Sequence, residues 1–286
     1  MDKITIWPKV SVIVTTKNES NNIERFFKSV KNQTYKNLEL IVVDNNSFDQ
    51  TVLISRKYTT KIFNYGPERS AQRNYGAKKS TGQYLLFLDA DMELSPNVVN
   101  DCVIKSLHFH LKILTIPETT VGQGLMPQVR KFEREMYFEN ADYEVSRFFE
   151  KNVFDEFGGY DENLTGPEDY DLPYRMRSKY KSGRIDSFIY HHEEGLTLSR
   201  LLKKKYYYAK NGALYALKHP NLVKVQGTIL FRKVYLKNWL RFVKNPVLGT
   251  LFLGVRFLET VSAIMGFISA VGLFKFFKAI TFIFTK

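Results

Sequence analysis

Three short apolar runs, each broken off by a cluster of acid, amide or hydroxyl side chains, limit what this chain can fold into more than any other feature. Residues 10–15 lead into Lys17-Asn18-Glu19-Ser20, residues 38–43 into Asp44-Asn45-Asn46-Ser47, and residues 84–88 into Asp89-Ala90-Asp91. A continuous β-branched and aliphatic run suits a strand covered on both faces, as crossover helices cover the strands of a parallel sheet. Helical stretches fall where such crossovers are needed, at 21–31, 51–58 and 68–79, with a weaker strand at 61–65 and Gly82 as a stop. This order predicts an α/β fold with a mostly parallel, right-handed sheet. Ligands of such sheets lie beyond the carboxyl ends of the strands, where Glu19, Asp44, Asp89 and Asp91 all fall.

Residues 97–150 mix helical patches such as 128–138 with loops and admit no close assignment. Strand character returns at 147–155, then a turn at Gly158-Gly159-Tyr160-Asp161, then an acidic helix start at Glu168-Asp169. The formal charge of +13 is unevenly spread: residues 195–286 hold 16 Lys and Arg against one acid, Glu259, while residues 1–194 hold 26 against 28. A basic tail of this kind points to an anionic membrane or to nucleic acid. The tail interleaves Lys203-Lys204-Lys205 with Tyr206-Tyr207-Tyr208, and its stretch 246–274 has only Arg256 and Glu259 as charges, three apart and able to pair on one helix face. About 15 charge-free residues are fewer than the roughly 20 a bilayer span needs. A single span extended by a snorkelling Arg256 and helices lying in the interface both remain open. The expected division is a catalytic domain over 1–195, basic amphipathic interface helices over 196–245 and membrane-associated helices over 246–286. The first residues lack a secretory signal's basic start and apolar run, so the catalytic part is expected on the cytoplasmic side of a cell membrane. Cys102 is the only cysteine and reads as a small core residue.

Several constellations could carry chemistry. Asp89 and Asp91, two apart at the end of a buried strand, are hard oxygen ligands suited to Mg²⁺ or Mn²⁺ bridging a diphosphate, or else an Asp-rich turn. Asp44 and Glu19 could accept hydrogen bonds from a nucleoside or serve as turn residues. Arg69 and Arg73 share a helix face and could reach phosphate oxygens, or lie exposed without a ligand. Glu168 and Asp169 are either N-terminal capping acids or a base that deprotonates an acceptor hydroxyl. His191 and His192 are candidate metal or phosphate contacts.

Taken together, the segments VSVIVTTKNE (10–19), IVVDNNS (41–47), RSAQRNYG (69–76), LFLDAD (86–91), GGYD (158–161) and EDYD (168–171) resemble, in order, the family 2 glycosyltransferases. The resemblance covers about residues 8–210. It implies a GT-A nucleotide-diphospho-sugar transferase fold, a nucleotide-diphosphate sugar donor (GDP- or UDP-linked), a divalent metal, and displacement with inversion at the anomeric carbon. By position it implies that Asp44 contacts the base and Thr15 and Glu19 the nucleoside. Arg69 and Arg73 would meet the ribose-diphosphate region, Asp89 ribose or metal, and Asp91 the metal. Asp169, with Glu168 beside it, would be the catalytic base, and His191 a further metal or diphosphate contact. The Gln-x-x-Arg-Trp segment of the processive members is missing, which favours addition of a single sugar. The tail resembles that of members acting on lipid-linked acceptors, with no nucleic acid expected. A sugar nucleotidyltransferase would need a Gly-rich loop where residues 15–20 have no glycine. A catalytically inactive membrane or nucleic-acid binding module could use the same basic tail, although the intact acid pairs speak against it.

Overall fold

The computed structural model describes residues 7–140, 143–212 and 232–273. The remainder of the expected 196–245 and 246–286 segments, 213–231 and 274–286, lies outside the described residues. The chain divides into two compact units that are interleaved in sequence: Met1–Thr119, Glu144–Asn163 and Glu168–His192 form the first, and Thr120–Tyr143, Leu164–Pro167 and Glu193–Lys286 the second.

The first unit opens with β1 (Val10–Thr16), α1 (Ile23–Lys31), β2 (Leu38–Asp44), α2 (Thr51–Ser55), β3 (Ile62–Asn64), α3 (Arg69–Lys79) and β4 (Tyr84–Asp89). It continues with β5 (Met92–Leu94), α4 (Val98–Phe109), β6 (Ile113–Thr115) and β7 (Glu118–Val121), at which the chain leaves it. After α5 (Leu125–Tyr137) in the second unit, it resumes with β8 (Ser146–Glu150), α6 (Lys151–Glu156), α7 (Glu168–Arg177), β9 (Ser182–Arg184) and β10 (Ile189–His192). The main sheet runs β3-β2-β1-β4-β8-β6-β9, and a second sheet runs β5-β10-β7. β1 is parallel to both β2 and β4, and β2 to β3, while β8 is antiparallel to β4 and β6. From β1 the order runs to β2 on one side and to β4 on the other, which opens a crevice at the strand ends. In register, Thr15 faces Val43 and Asp89, and Thr16 faces Asp44, so the polar endings noted above come side by side.

Side chains of each strand alternate between two cores. Val10, Val12 and Val14 pack with Phe26 and Phe27 of α1 and with Val98, Val99 and Cys102 of α4. Ile13, Val43 and Phe87 pack on the other face with Ala77 of α3, Phe154 of α6 and Leu172 of α7. Gly76 lets α3 sit directly on β1, since a Cβ there would lie 2.5 Å from Ile13 Cγ2. The stretch 147–155 is strand only as far as Glu150. Lys151–Glu156 is a helix that turns Val153 and Phe154 inward and is followed by Gly158, whose φ of +71° glycine adopts without strain.

The second unit is helical: α5, α8 (Leu198–Asn211), α9 (Lys233–Lys237), α10 (Trp239–Lys244) and α11 (Pro246–Val271). Its core joins Val129, Phe132 and Met136 of α5 to Leu201, Val234, Phe252 and Val255. α11 is 26 residues long with a mean hydropathy of 1.7 in its most apolar window, enough by length and composition to cross a membrane. Arg256 pairs with Glu259 on the same helix and, at 2.5 Å, with Glu133 of α5, all three buried.

Candidate active site

The site is built where β1, β2 and β4 end. Asp44 is 3% exposed and closes its own loop: Oδ1 accepts from Thr16 Oγ1 (2.7 Å) and Ser47 Oγ (2.6 Å), and Oδ2 from the Ser47 N–H (2.8 Å). Thr15, beside it on β1, is buried. Glu19 follows Asn18, which holds a left-handed φ of +57°, and its backbone N–H donates to Thr51 Oγ1 at 2.7 Å. Burial raises the Glu19 carboxyl above its ordinary range, a hydrogen bond from Asn22 opposes this, and the nearby Asp91, Asp89 and Asp49 raise it further. Glu19 therefore shares the electrostatic neighbourhood of the β4 acids.

Arg73 of α3 is wholly buried at the centre of the cluster. Its guanidinium donates to Asp169 Oδ1 (2.6 Å) and Asp89 Oδ1 (3.0 Å), lies 3.7 Å from Glu168 Oε1, and sits 5.3 Å from the centroid of the Tyr160 ring. Burial opposes its charge, but Asp169, Asp89, Tyr160 and Glu168 outweigh that and keep it ionised. Arg69, one turn earlier and 34% exposed, reaches Glu168 at 3.3 Å and Asp89 at 4.0 Å. Arg147 of β8 completes the ring around Asp89 at 3.8 Å. Burial alone would raise the Asp89 carboxyl, yet Arg73, Arg69, Arg147 and His191 hold it well below the usual carboxylate range.

The acid pair opens α7, where the helix dipole favours negative charge. Glu168 is 2% exposed at its side chain and Asp169 13%. Burial, then Asp169, raises the Glu168 carboxyl, against the pull of Arg69 and Arg73. The preceding turn is clamped from α3: Asn74 Nδ2 donates to the Tyr160 carbonyl (2.8 Å) and Asn74 Oδ1 accepts from the Tyr160 N–H (2.9 Å). This clamp sets Tyr160 against Arg73.

Adjacent residues of β10 face different acids, as strand alternation demands. His191 Nε2 lies 2.9 Å from Asp91 Oδ2 and its Nδ1 3.4 Å from Glu118 Oε2, while His192 Nε2 meets Glu93 at 2.7 Å. Glu118 also accepts from Arg147 Nε at 2.6 Å. One polar chain thus runs Asp169, Arg73, Asp89, Arg147, Glu118, His191, Asp91.

The glycosyl transferase family 2 model matches residues 11–157, just over half of the chain, and so includes the endings of β1, β2 and β4 at which the site is built. The chain belongs to glycosyl transferase family 2. A glycosyltransferase of Rickettsia typhi is 25% identical to it over 210 residues, 68% of this chain and 64% of that protein. The GalNAc(5)-diNAcBac-PP-undecaprenol beta-1,3-glucosyltransferase of Campylobacter jejuni is 35% identical over 107 residues, 35% of each chain. These matches span less than two thirds of either relative. Among solved structures, the mannosyltransferase PcManGT of Pyrobaculum calidifontis, in complex with GDP-Man and Mn²⁺, has a TM-score of 0.60 at 15% identity, covering 97% of this chain and 80% of that one. TarS of S. aureus (residues 1–349, with UDP) has a TM-score of 0.53 at 16% identity, covering 93% and 92%. The fold of this family 2 glycosyltransferase is accordingly the GT-A fold.

Two of the transferase's clustered residues, Arg147 and Glu118, carry no motif. The signal for Arg147 is a charge directly before the apolar pair Phe148-Phe149 of the buried strand Ser146–Glu150, since a buried guanidinium requires acid partners. Glu118 has no comparable signal. The donor set of Asp91 and His191, one hard carboxylate and one imidazole aimed at each other, suits Mn²⁺ and less well Mg²⁺. Among the described residues no group of three or more His, Cys, Asp or Glu is gathered as a metal cage.

Proposed function

We propose that this family 2 glycosyltransferase moves one sugar, with inversion at the anomeric carbon, from a nucleotide-diphosphate donor to a hydroxyl or phosphate of a lipid-linked acceptor at the cytoplasmic face of a membrane. The observation that carries the reading is the shared guanidinium of Arg73. It holds Asp169, a carboxylate more accessible than its neighbour Glu168, in fixed relation to Asp89 and through it to the Asp91–His191 pair.

In this reading Asp169 accepts the proton of the incoming acceptor hydroxyl as the new glycosidic bond forms and the bond to the diphosphate breaks. Arg69, partly exposed, meets the departing diphosphate, while the buried Arg73 acts by positioning Asp169 and Asp89. Asp91 and His191 would hold Mn²⁺ or Mg²⁺, which when bound supplies positive charge against the leaving diphosphate. Glu19, Thr15 and the loop that Asp44 closes form the nucleoside end. PcManGT with GDP-Man and TarS with UDP support a nucleotide-sugar donor. The undecaprenol-linked substrate named for the Campylobacter relative and the basic tail support a lipid-linked acceptor.

The test incubates the protein with Mn²⁺ or Mg²⁺ and UDP-, GDP- and dTDP-sugars, with and without polyprenyl phosphate, and measures released nucleotide beside Asp91→Ala and Asp169→Asn. Metal-dependent release from one donor, raised by the lipid and lost in both variants, is expected. No release and no nucleotide binding would leave only a binding role on a transferase scaffold.

A further inference from the structure

α11 is inverted for a helix in water. Its buried positions, Gly249, Phe252, Val255, Arg256, Glu259 and Gly266, each lie one or two turns from another of the set and form one face. Both charged residues of the helix lie on that face. The opposite side is apolar and exposed, with Val247 at 73%, Phe257 at 56% and Met265 at 59%, and Trp239 and Val243 of α10 continue it at 57% and 62%.

The helix is locked in that orientation. Arg256 is bound to Glu133 of α5 and to Glu259 on its own helix, and rolling α11 over would break the interhelical pair with Glu133 and carry the Arg256–Glu259 pair out of its buried setting. On the same side, Ser262 Oγ donates to the Leu202 carbonyl of α8 at 2.7 Å, and Gly266 lies so close to the Tyr206 backbone that a Cβ would meet its carbonyl oxygen at 2.3 Å.

These contacts also decide against a crossing. Arg256 and Glu259 lie near the middle of a helix about 39 Å long. A span centred on them would draw α5, with Arg130, Lys131, Glu133, Arg134 and Glu135, into hydrocarbon, where polar groups are strongly disfavoured. Lying in the interface puts only the apolar side in contact with lipid, and the exposed Lys237 and Lys244 beside it match anionic head groups in charge.

We propose that the second unit rests on an anionic lipid surface as a monotopic element, with α10 and the outward face of α11 sunk into the head-group boundary and neither helix crossing it. The inference rests on the membrane-borne acceptor of the functional reading and narrows how the protein meets that membrane.

Full-length protein carrying Trp7→Phe, which leaves Trp239 as the only indole, is mixed with phosphatidylcholine vesicles with or without phosphatidylglycerol. Blue-shifted emission quenched by brominated lipid is expected with the anionic vesicles and should weaken with added salt. Phe257→Glu with Val261→Glu should reduce partitioning at least about tenfold and leave transfer to a water-soluble acceptor unchanged. Asn245→Cys and Ser269→Cys, at the two ends of α11, should both react with an impermeant maleimide added outside the vesicles, while the buried Cys102 does not. Reaction at one end alone would show a span and overturn the proposal. So would unchanged partitioning of the double variant, or self-association through this face without binding to either vesicle. Sugar transfer is scored on the same preparations: its absence with vesicle binding intact sinks the functional reading alone, and the reverse sinks only the membrane pose.

Discussion

Arg73 has no solvent contact, so its value to the protein lies in what it holds apart and together. Arg73→Met would leave Asp89, Asp169 and Glu168 facing one another without their shared cation, and a loss of about 3–5 kcal/mol is expected in urea unfolding. Asp169→Asn keeps the shape and removes the carboxylate that the proposed mechanism uses as proton acceptor. It should lower kcat by about 10²–10⁴-fold with the affinity for nucleotide diphosphate, measured calorimetrically, little changed. The acids at strand ends were readable in the sequence because a carboxylate directly after an uninterrupted apolar run has few places to go. Their partners were less so: Glu118 and Arg147 are single residues, and nothing in the spacing of a chain tells which distant side chain a buried charge will find. Asp44 shows the other limit. Its position was evident, but its bond to Thr16 depends on the register between β1 and β2.

At the scale of elements, the clamp between α3 and the turn before α7 is the most demanding piece of geometry. A Cβ at Gly159 would lie 2.6 Å from Asn74 Oδ1 on a backbone with φ of +69°. Gly159→Ala is therefore expected to cost about 1–3 kcal/mol and to lower activity by moving Tyr160 away from Arg73; thermal melts and steady-state rates check both. Glu39 of β2 plays a similar part at the far end of the sheet, tying Ser11 of β1 and Lys61 to the backbone N–H groups of Thr81 (2.6 Å) and Gly82 (2.9 Å). Burial opposes its ionisation, but hydrogen bonds from Lys61, Ser11 and Thr81 outweigh it and hold the carboxyl down at about 2. Its stabilising effect is full above the ordinary value of 4.5 and fades as pH falls towards about 2. The urea midpoint of wild type should fall across that window relative to Glu39→Gln. The long strands were legible because burial on both faces writes itself into composition. β6, only three residues long, and α6, where an apolar pair fits strand and helix alike, were not.

For the whole molecule, the informative fact is that the second unit takes α5 from the middle of the chain. The periodicity of α5 tells which face is buried but not against what; its cover is α8, α9 and α11. A fragment ending at residue 195 should therefore bind apolar dyes and aggregate on gel filtration, because Val129, Phe132 and Met136 lose that cover. Phe132→Asp within the same fragment should reduce both effects. The interleaving also has a meaning in time. α5 leaves the ribosome roughly a hundred residues before α11 begins, a wait of roughly 5–20 seconds at ordinary rates of synthesis. Through that interval the apolar face of α5 lacks its full native cover, so the nascent chain is a natural client for a chaperone that shields it until translation is done.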